Sequence, residues 1–309
     1  MLVFSSGDID KNEKNKNNET PAEFTGATTQ ARISATNAKD LTAGAVLGSL
    51  LSVAVQGSEF NQNSVEPQID AFRLLRFPLI LRDSLRRIEF SAPTFTLSEE
   101  SIKMETGNFG GSCGGNFSYS LNHDTVAKKF SGNLSFANFC GNGITISGET
   151  DSEGTYDVDS GDFITANFSF DNLTDGYFTF DGEISIDFAD QPMLVTLKVL
   201  TKNNRSDKIY WIKTYSMNIF EFVGHAEIEI YGTFYHPDWG FVDLTSIDPF
   251  IVHNEDDWPT SGRFVIEGDH HTKAELFALD PLIFKVEADA DGDGALEWDS
   301  GFLNWTTGL

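Results

Sequence analysis

The chain has 309 residues and a formal net charge of −26, with 47 acidic against 21 basic side chains. A negative field of this size repels nucleic acid and attracts divalent cations or basic partners, so we exclude nucleic-acid binding as a function. The chain is long enough to bury a broad core, and its 27 Phe against 7 Tyr favour such a core over a wet recognition surface.

The first 30 residues are predicted to be a disordered tether or the remnant of a signal peptide. Residues 1–7 are too few for a signal peptide and are typical of the end of one whose upstream part is missing. The polar residues that follow, up to Glu23, bury too little apolar surface to fold. This start is lipoprotein-like, although no Cys precedes Cys113 to carry a lipid. No apolar run reaches the length of a transmembrane helix.

Two helices are predicted within the segment 31–90, and both are expected to pack on a sheet. Residues 34–55 are rich in small side chains, and Ser34 is a candidate N-cap. Residues 67–88 place apolar side chains at helical spacing, and Pro78 is expected to kink this second helix. The five arginines of the second helix favour pairing with an acidic β domain over docking to a membrane surface or a partner.

An internal repeat with a shift of 34 residues follows these helices. Residues 133–138 are echoed by residues 167–172, and both segments begin and end with Asn. The second half of each unit ends in glycine, at Gly148 and Gly182. Each unit is predicted to be a strand, a short turn and a second strand, with the glycines marking bulges or bends where a sheet curves.

The hydrophobic period is two from Phe90 onward, which predicts an antiparallel β domain over residues 91–309. Alternation of apolar and polar residues indicates one buried face and one wet face. The predicted fold class is therefore mainly β. We expect a large curved antiparallel sheet, or a partly open barrel or sandwich, with the two N-terminal helices packed on it.

The only two cysteines, Cys113 and Cys140, lie in a region rich in Gly and Asn. This hydrophilic setting favours a disulfide between facing strands over two buried thiols. A disulfide would place the protein outside the reducing cytoplasm, in the periplasm, on the outer surface or outside the cell. Residues 110–114 also satisfy the GxSxG pattern, but the residues that follow alternate as a strand where a nucleophile elbow needs a helix. We therefore predict that the protein is not an enzyme.

Five carboxylates fall within residues 289–300, with no Lys or Arg among them. Oxygen ligands at alternate positions followed by Gly are the pattern by which a short loop wraps a hard cation. A loop this acidic repels itself at neutral pH unless a cation lies inside it. The candidate ligands are Asp289, Asp291, Asp293, the carbonyl of Ala295, Glu297, Asp299 and Ser300.

This loop resembles the EF-hand-like DxDxDG calcium loops that occur outside helix–loop–helix pairs, and the resemblance is confined to residues 289–300. The alternating aspartates and Gly294 match the first half of such a loop, whereas Ser300 stands where an EF-hand has its bidentate Glu. The resemblance implies Ca²⁺ as the ion, bound weakly and in a structural role. That role would be to hold a last hairpin formed by residues 296–298 and 302–305.

His236, Trp239 and Trp258 lie in two short loops that mix His, carboxylates and Trp. They form a candidate ligand platform for a sugar, although we favour polar loops whose Trp rings cover the sheet edge. The leading prediction of function is an exported calcium-binding β protein with a structural or interaction role at the cell surface or in the periplasm. One alternative is a carbohydrate-binding or adhesive module that engages a polysaccharide or a cell-surface protein. Another is a carrier of an apolar ligand in the concave sheet.

Overall fold

The computed structural model describes residues 21, 23–49, 81, 84, 85, 87, 88, 102–141, 144–188, 192–253, 256 and 258–305. These residues form one open antiparallel sheet of 15 strands, so the mainly β prediction is confirmed. Within this part of the chain, no helix is long and apolar enough to span a membrane.

The sheet is a meander in which each strand from β1 to β13 pairs with the next, as short antiparallel connections allow. The strands are β1 (Ile102–Gly110), β2 (Asn116–Asp124), β3 (Lys129–Gly141), β4 (Ile144–Tyr156), β5 (Phe163–Thr174), β6 (Phe178–Asp187), β7 (Met193–Asn203), β8 (Ile209–Phe222), β9 (His225–His236), β10 (Gly240–His253), β11 (Ser261–Glu267), β12 (Lys273–Asp280), β13 (Ile283–Asp289), β14 (Trp298–Asp299) and β15 (Leu303–Asn304).

The last two strands lie one after the other along the same edge of β13. Ser300, between them, donates its N–H to the Val286 carbonyl at 2.9 Å, and its hydroxyl accepts the Val286 N–H at 2.9 Å. The prediction of a separate hairpin between residues 296–298 and 302–305 is therefore wrong. Both segments pair with β13, because the chain continues along its edge instead of turning back on itself.

One face of the sheet carries the core. In β7 the buried residues Met193, Val195, Leu197 and Val199 alternate with less buried ones, which is the predicted period of two. Buried side chains from β2 to β13 join one continuous hydrophobic cluster. Burial of each large aliphatic side chain contributes about 1.5–3 kcal/mol, so the cluster is the main source of stability.

Helix α1 (Ala38–Ser49) packs on this buried face. Leu41 and Ala45 are fully buried one turn apart, and the Tyr215 hydroxyl of β8 donates to the Ala45 carbonyl at 3.1 Å. Ser34 precedes the helix, and the Ala38 N–H donates to its carbonyl at 2.9 Å. The helix therefore begins four residues after the predicted start, because residues 35–37 form a turn.

Helix α1 is the one α-helix whose bounds the described residues define. The second predicted helix, residues 67–88, lies mostly outside them. Of that segment, Leu81, Ser84 and Leu85 have helical backbone and are buried, and Ile88 is buried after them. The apolar side chains among these residues belong to the main core cluster.

The 34-residue repeat corresponds to two consecutive hairpins, β3–β4 and β5–β6. Asn138 and Asn172 hold matching places in β-bulges and have left-handed backbone, with φ of 49° and 58°. Opposite the start of each bulge, Gly148 and Gly182 have φ of 129° and 149°, a region that favours glycine. A bulge bends its strand and increases the local twist. The predicted bulges at matching glycines are therefore confirmed, but Gly148 and Gly182 lie inside β4 and β6 and do not end these strands, as the repeat had suggested.

Residues 23–37, which we call the strap, pass from the outer face of the sheet to its buried face. Phe24 packs against Trp211 and Tyr235, with ring centroids 5.8 and 5.7 Å away, in a small cluster separate from the main core. Ile33, nine residues later, is fully buried in the main core. Assignment of residues 23–30 to a disordered tether is therefore wrong, because an aromatic anchor and backbone pairing with Phe241 hold them on the sheet.

Candidate metal centre

The loop between β13 and β14 brings four carboxylates together. Asp289, Asp291, Asp293 and Glu297 each offer one oxygen, and these four atoms lie within 4.8 Å of one another. Calcium–oxygen distances of about 2.3–2.6 Å place ligands on opposite sides of one ion about 4.6–5.2 Å apart. The four oxygens can therefore share a single cation. Of the seven predicted ligands, these four form the acidic cluster.

Asp289 sets the shape of this loop. It ends β13, is 1% exposed, and its two carboxylate oxygens accept the N–H groups of Gly292 at 2.7 Å and Gly294 at 2.8 Å. Both glycines have left-handed backbone, with φ of 84° and 97°. A β carbon at Gly292 would lie 2.3 Å from the carbonyl oxygen of His270, so only glycine fits there.

The exposed carboxylates are also oriented by backbone N–H groups. Asp291 accepts from the N–H of Asp293 at 3.1 Å, and Asp293 accepts from the N–H of Ala295 at 2.8 Å. Glu297 reaches back to accept the N–H of Ala290 at 3.2 Å. A carboxylate has about four acceptor positions, so each of these groups keeps capacity for a cation. The turn bonds hold the oxygens in place before any ion arrives.

Of the three remaining predicted ligands, Asp299 and Ser300 lie beyond the loop, and Ala295 lies within it. Asp299 belongs to β14, outside the four-residue cluster, and accepts the N–H of Gly301. The Ser300 hydroxyl bonds to β13 and donates to the Gly301 carbonyl at 2.8 Å. Ala295 is in the loop and is seen to donate its N–H to Asp293. The flanks are strands on both sides, as predicted, so the loop is not part of a helix–loop–helix pair.

Cys113 and Cys140 form the predicted disulfide, with a Cα–Cα distance of 5.1 Å. It joins the β1–β2 loop to the end of β3, whereas the sequence suggested two facing strands. Residues 110–114 lead directly into β2, so the GxSxG pattern is followed by a strand, as predicted. The Ser112 hydroxyl donates to the Cys140 carbonyl at 3.4 Å. The absence of enzymatic activity stays a prediction.

The predicted ligand platform separates into one exposed and two buried side chains. Trp239, in the β9–β10 turn, is 39% exposed. Trp258 is 5% exposed and stacks on Trp305 with ring centroids 5.0 Å apart, so its role as a ligand platform is corrected to that of a core residue. His236 is buried at the end of β9, against the ring of Tyr210.

Burial lowers the pKa of His236 to about 4, although the charge of Asp238 acts in the opposite direction. Its Nδ1 accepts the Asp238 N–H at 3.2 Å, which only a neutral ring nitrogen can do. Because the folded-state pKa lies below the ordinary 6.5, the stabilising contribution is present above pH 6.5 and is lost as the pH falls to about 4. We expect the free energy of unfolding to drop by about 2 kcal/mol across this window from His236 alone.

Urea unfolding at pH 7 and at pH 4 measures this loss in the wild type and in H236N, whose amide oxygen can accept the same hydrogen bond without titrating. The matched control is H253N, at an exposed position. The drop between the two pH values should be smaller in H236N than in the wild type and unchanged in H253N. Equal drops in all three proteins would contradict the assignment.

A pocket on the outer face is the feature that sequence reasoning missed. It has a volume of about 410 Å³. Burial raises the pKa of Asp181, and a hydrogen bond with the Asp171 carboxyl adds to this rise. The repeat aligns Asp181 with Ser147, but only the folded bulge brings Asp171 beside it. The charged residues that line the pocket are Glu23, Asp171, Asp181, Glu183, Lys198 and Lys213.

Comparisons with known proteins give no match from which a function could be inferred. No protein-family model matches the chain, no curated protein matches it, and no solved structure matches it. The acidic loop, the disulfide and the single large sheet are therefore the features from which its function is argued.

Proposed function

We propose that this protein is an exported calcium-binding β protein in which the ion holds the loop after β13 against the sheet. The observation that carries the proposal is the convergence of four carboxylate oxygens within 4.8 Å. An all-oxygen ligand set favours calcium or magnesium over zinc, which takes nitrogen and sulfur ligands. Calcium suits this loop better, because magnesium demands near-ideal octahedral geometry and keeps several of its waters.

The proposed affinity is weak. An EF-hand closes its site with a bidentate Glu, whereas the hydroxyl of Ser300 is committed to β13 here. Loss of that ligand places the site with extracellular modules, whose dissociation constants are about 10⁻⁴–10⁻³ M. The disulfide supports an oxidising compartment, where such weak calcium sites are used. These two features together support the proposal of a structural role at the cell surface or in the periplasm.

Addition of calcium is expected to raise the melting temperature. At a free concentration about ten times the dissociation constant, binding stabilises the folded state by about 1.4 kcal/mol. For a chain of this size that corresponds to a shift of about 3 °C. Thermal melts followed by circular dichroism in 5–10 mM Ca²⁺, in equimolar Mg²⁺ and in EGTA measure the effect, and isothermal titration calorimetry gives the dissociation constant.

The matched variants are D291N and D159N. Asp291 is an exposed member of the cluster, and Asp159 is an exposed acidic residue in the β4–β5 turn. We expect D291N to lose most of the calcium-induced shift and D159N to keep it. A wild type that melts at the same temperature in calcium and in EGTA would refute the proposal, as would a D291N variant with an undiminished shift.

The alternatives have less support. A carbohydrate-binding role rests on Trp239 alone once Trp258 is assigned to the core. For a carrier of an apolar ligand, the side chains on the inner face would have to leave room, yet they pack with one another and with α1 in one buried cluster. We therefore propose calcium binding as the function, together with a structural or interaction role.

A further inference from the structure

We propose that calcium bound in the β13–β14 loop also secures the strap, and through it helix α1, to the sheet. This inference rests on the proposed calcium site and extends it to a second part of the chain. The link is the turn between β11 and β12, residues 268–272. It contacts the acidic loop on one side and the strap on the other.

The first step is the contact between the loop and this turn. Gly292 lies so close to the carbonyl of His270 that a β carbon would be 2.3 Å from it. His270 and His271 both have left-handed backbone, with φ of 57° and 62°, a conformation that non-glycine residues hold only where their surroundings impose it. Immediately after the turn, Lys273 of β12 stands opposite Asp289 of β13 in the backbone pairing of the two strands. A change in the loop therefore reaches the turn directly.

The second step is the contact between the turn and the strap. The N–H of Asp269 donates to the Ala31 carbonyl at 2.7 Å. The hydroxyl of Thr272, which is fully buried, accepts the N–H of Ile33 at 2.9 Å and donates to the Asp269 carbonyl at 2.7 Å. One buried hydroxyl thus holds the turn closed and the strap in place at once. If the hydroxyl is removed, the buried group that it bonded is left unpaired, and stability falls by the full desolvation free energy of that group.

The third step runs from the strap to helix α1. The N–H of Ser34, next to Ile33, donates to the Asn37 side chain at 2.8 Å. Asn37 is buried and immediately precedes the helix. Without a cation, repulsion among the loop carboxylates pushes Gly292 away from the turn, the Thr272 bonds weaken, and the strap opens more often. Such local opening is the kind of event that amide hydrogen exchange measures.

Hydrogen–deuterium exchange of the full chain, with mass spectrometry, tests the coupling in calcium and in EGTA. At a calcium concentration about ten times the dissociation constant, peptides spanning residues 31–38 should exchange about tenfold more slowly than in EGTA. Peptides from the acidic loop should show the same protection. The β2–β3 hairpin is the internal control and should exchange equally in both conditions.

The matched variants are T272V, which removes the hydroxyl and keeps the shape, and T272S, which keeps the hydroxyl. In T272V we expect calcium to protect the loop fully but the strap much less than in the wild type, because only the bond from Asp269 to Ala31 still joins the turn to the strap. T272S should protect both. Circular dichroism establishes that each variant folds. If T272V does not fold, strap protection in the wild type still decides whether calcium and the strap are coupled.

The outcomes separate the two proposals. Calcium binding with loop protection, but an unchanged strap in the wild type, would overturn the coupling and leave the calcium site intact. No heat of binding and no loop protection would overturn both. Full strap protection in T272V would show that Thr272 is not the route and would overturn the mechanism proposed here.

Discussion

Replacing Trp305 with alanine is expected to lower the free energy of unfolding by about 4 kcal/mol. The indole is fully buried between Trp258 and Phe284, with ring centroids 5.0 and 4.5 Å away, and its Nε1 donates to the Asp280 carbonyl at 3.1 Å. Its removal loses the transfer free energy of a large aromatic group, leaves a cavity and exposes an unpaired carbonyl. Urea unfolding followed by circular dichroism measures the loss.

Two further variants make this result specific. W239A removes the same type of ring from a position that is 39% exposed, and we expect a loss within about 0.5 kcal/mol. W305F keeps an aromatic ring between its two neighbours but lacks the N–H donor, so an intermediate loss is expected. If W305A were no less stable than W239A, Trp305 would not be part of the core.

The second large effect is expected on removal of the disulfide. A C113S/C140S variant should lose about 3 kcal/mol of the free energy of unfolding. The crosslink closes a loop of 27 residues and so lowers the conformational entropy of the unfolded chain. The closed segment contains β2 and nearly all of β3, at the end of the sheet where β1 is the outermost of the described strands. Pairing in this region therefore depends on the crosslink more than pairing in the centre of the sheet does.

Chemical denaturation of the oxidised wild type, the reduced wild type and the double variant measures this contribution. The reduced protein and the variant should unfold at the same lower denaturant concentration. S112A is the neighbouring control, because it loses only the hydrogen bond to the Cys140 carbonyl and should change stability little. Identical midpoints for oxidised and reduced wild type would contradict a stabilising role.

The proposed calcium site lies beside the β11–β12 turn, on which the strap is held. The acidic loop and the β11–β12 turn, at the two ends of the β12–β13 hairpin sequence, meet there with the residues around Ile33, which are distant in sequence. A cation at this place would hold the C-terminal edge and the N-terminal strap with one ion. In a calcium-rich compartment, the bound ion would then add about 1.4 kcal/mol to the stability of the folded state.

The sheet followed from patterns that are local in sequence. Asn138 and Asn172 stand in left-handed bulges, and the glycines opposite them accept the backbone conformation that a bend needs. The period of two and this turn chemistry act over a few residues, so they can be read without the fold. The acidic loop could also be predicted from the sequence, because its four clustered carboxylates lie within nine consecutive residues.

The errors arose where the partner of a residue is distant. Phe24 follows a polar segment, and the composition of that segment does not predict that Phe24 packs against Trp211 and Tyr235 on the outer face. The sequence predicts Ser300 as a ligand, whereas its hydroxyl accepts the N–H of Val286, 14 residues earlier in the chain. Trp258 lies in a polar loop, yet its ring stacks in the core on Trp305.

The sequence by itself thus determined an antiparallel sheet with repeated bulges, a disulfide between the only two cysteines, and an acidic loop suited to a hard cation. Only the tertiary structure decided where the strap lies, which Trp rings are buried and which loop residues remain available to a metal. The physical reason is range. Periodicity and turns depend on neighbours in sequence, whereas a bond such as that from Ile33 to Thr272, 239 residues apart, exists only after the sheet has formed.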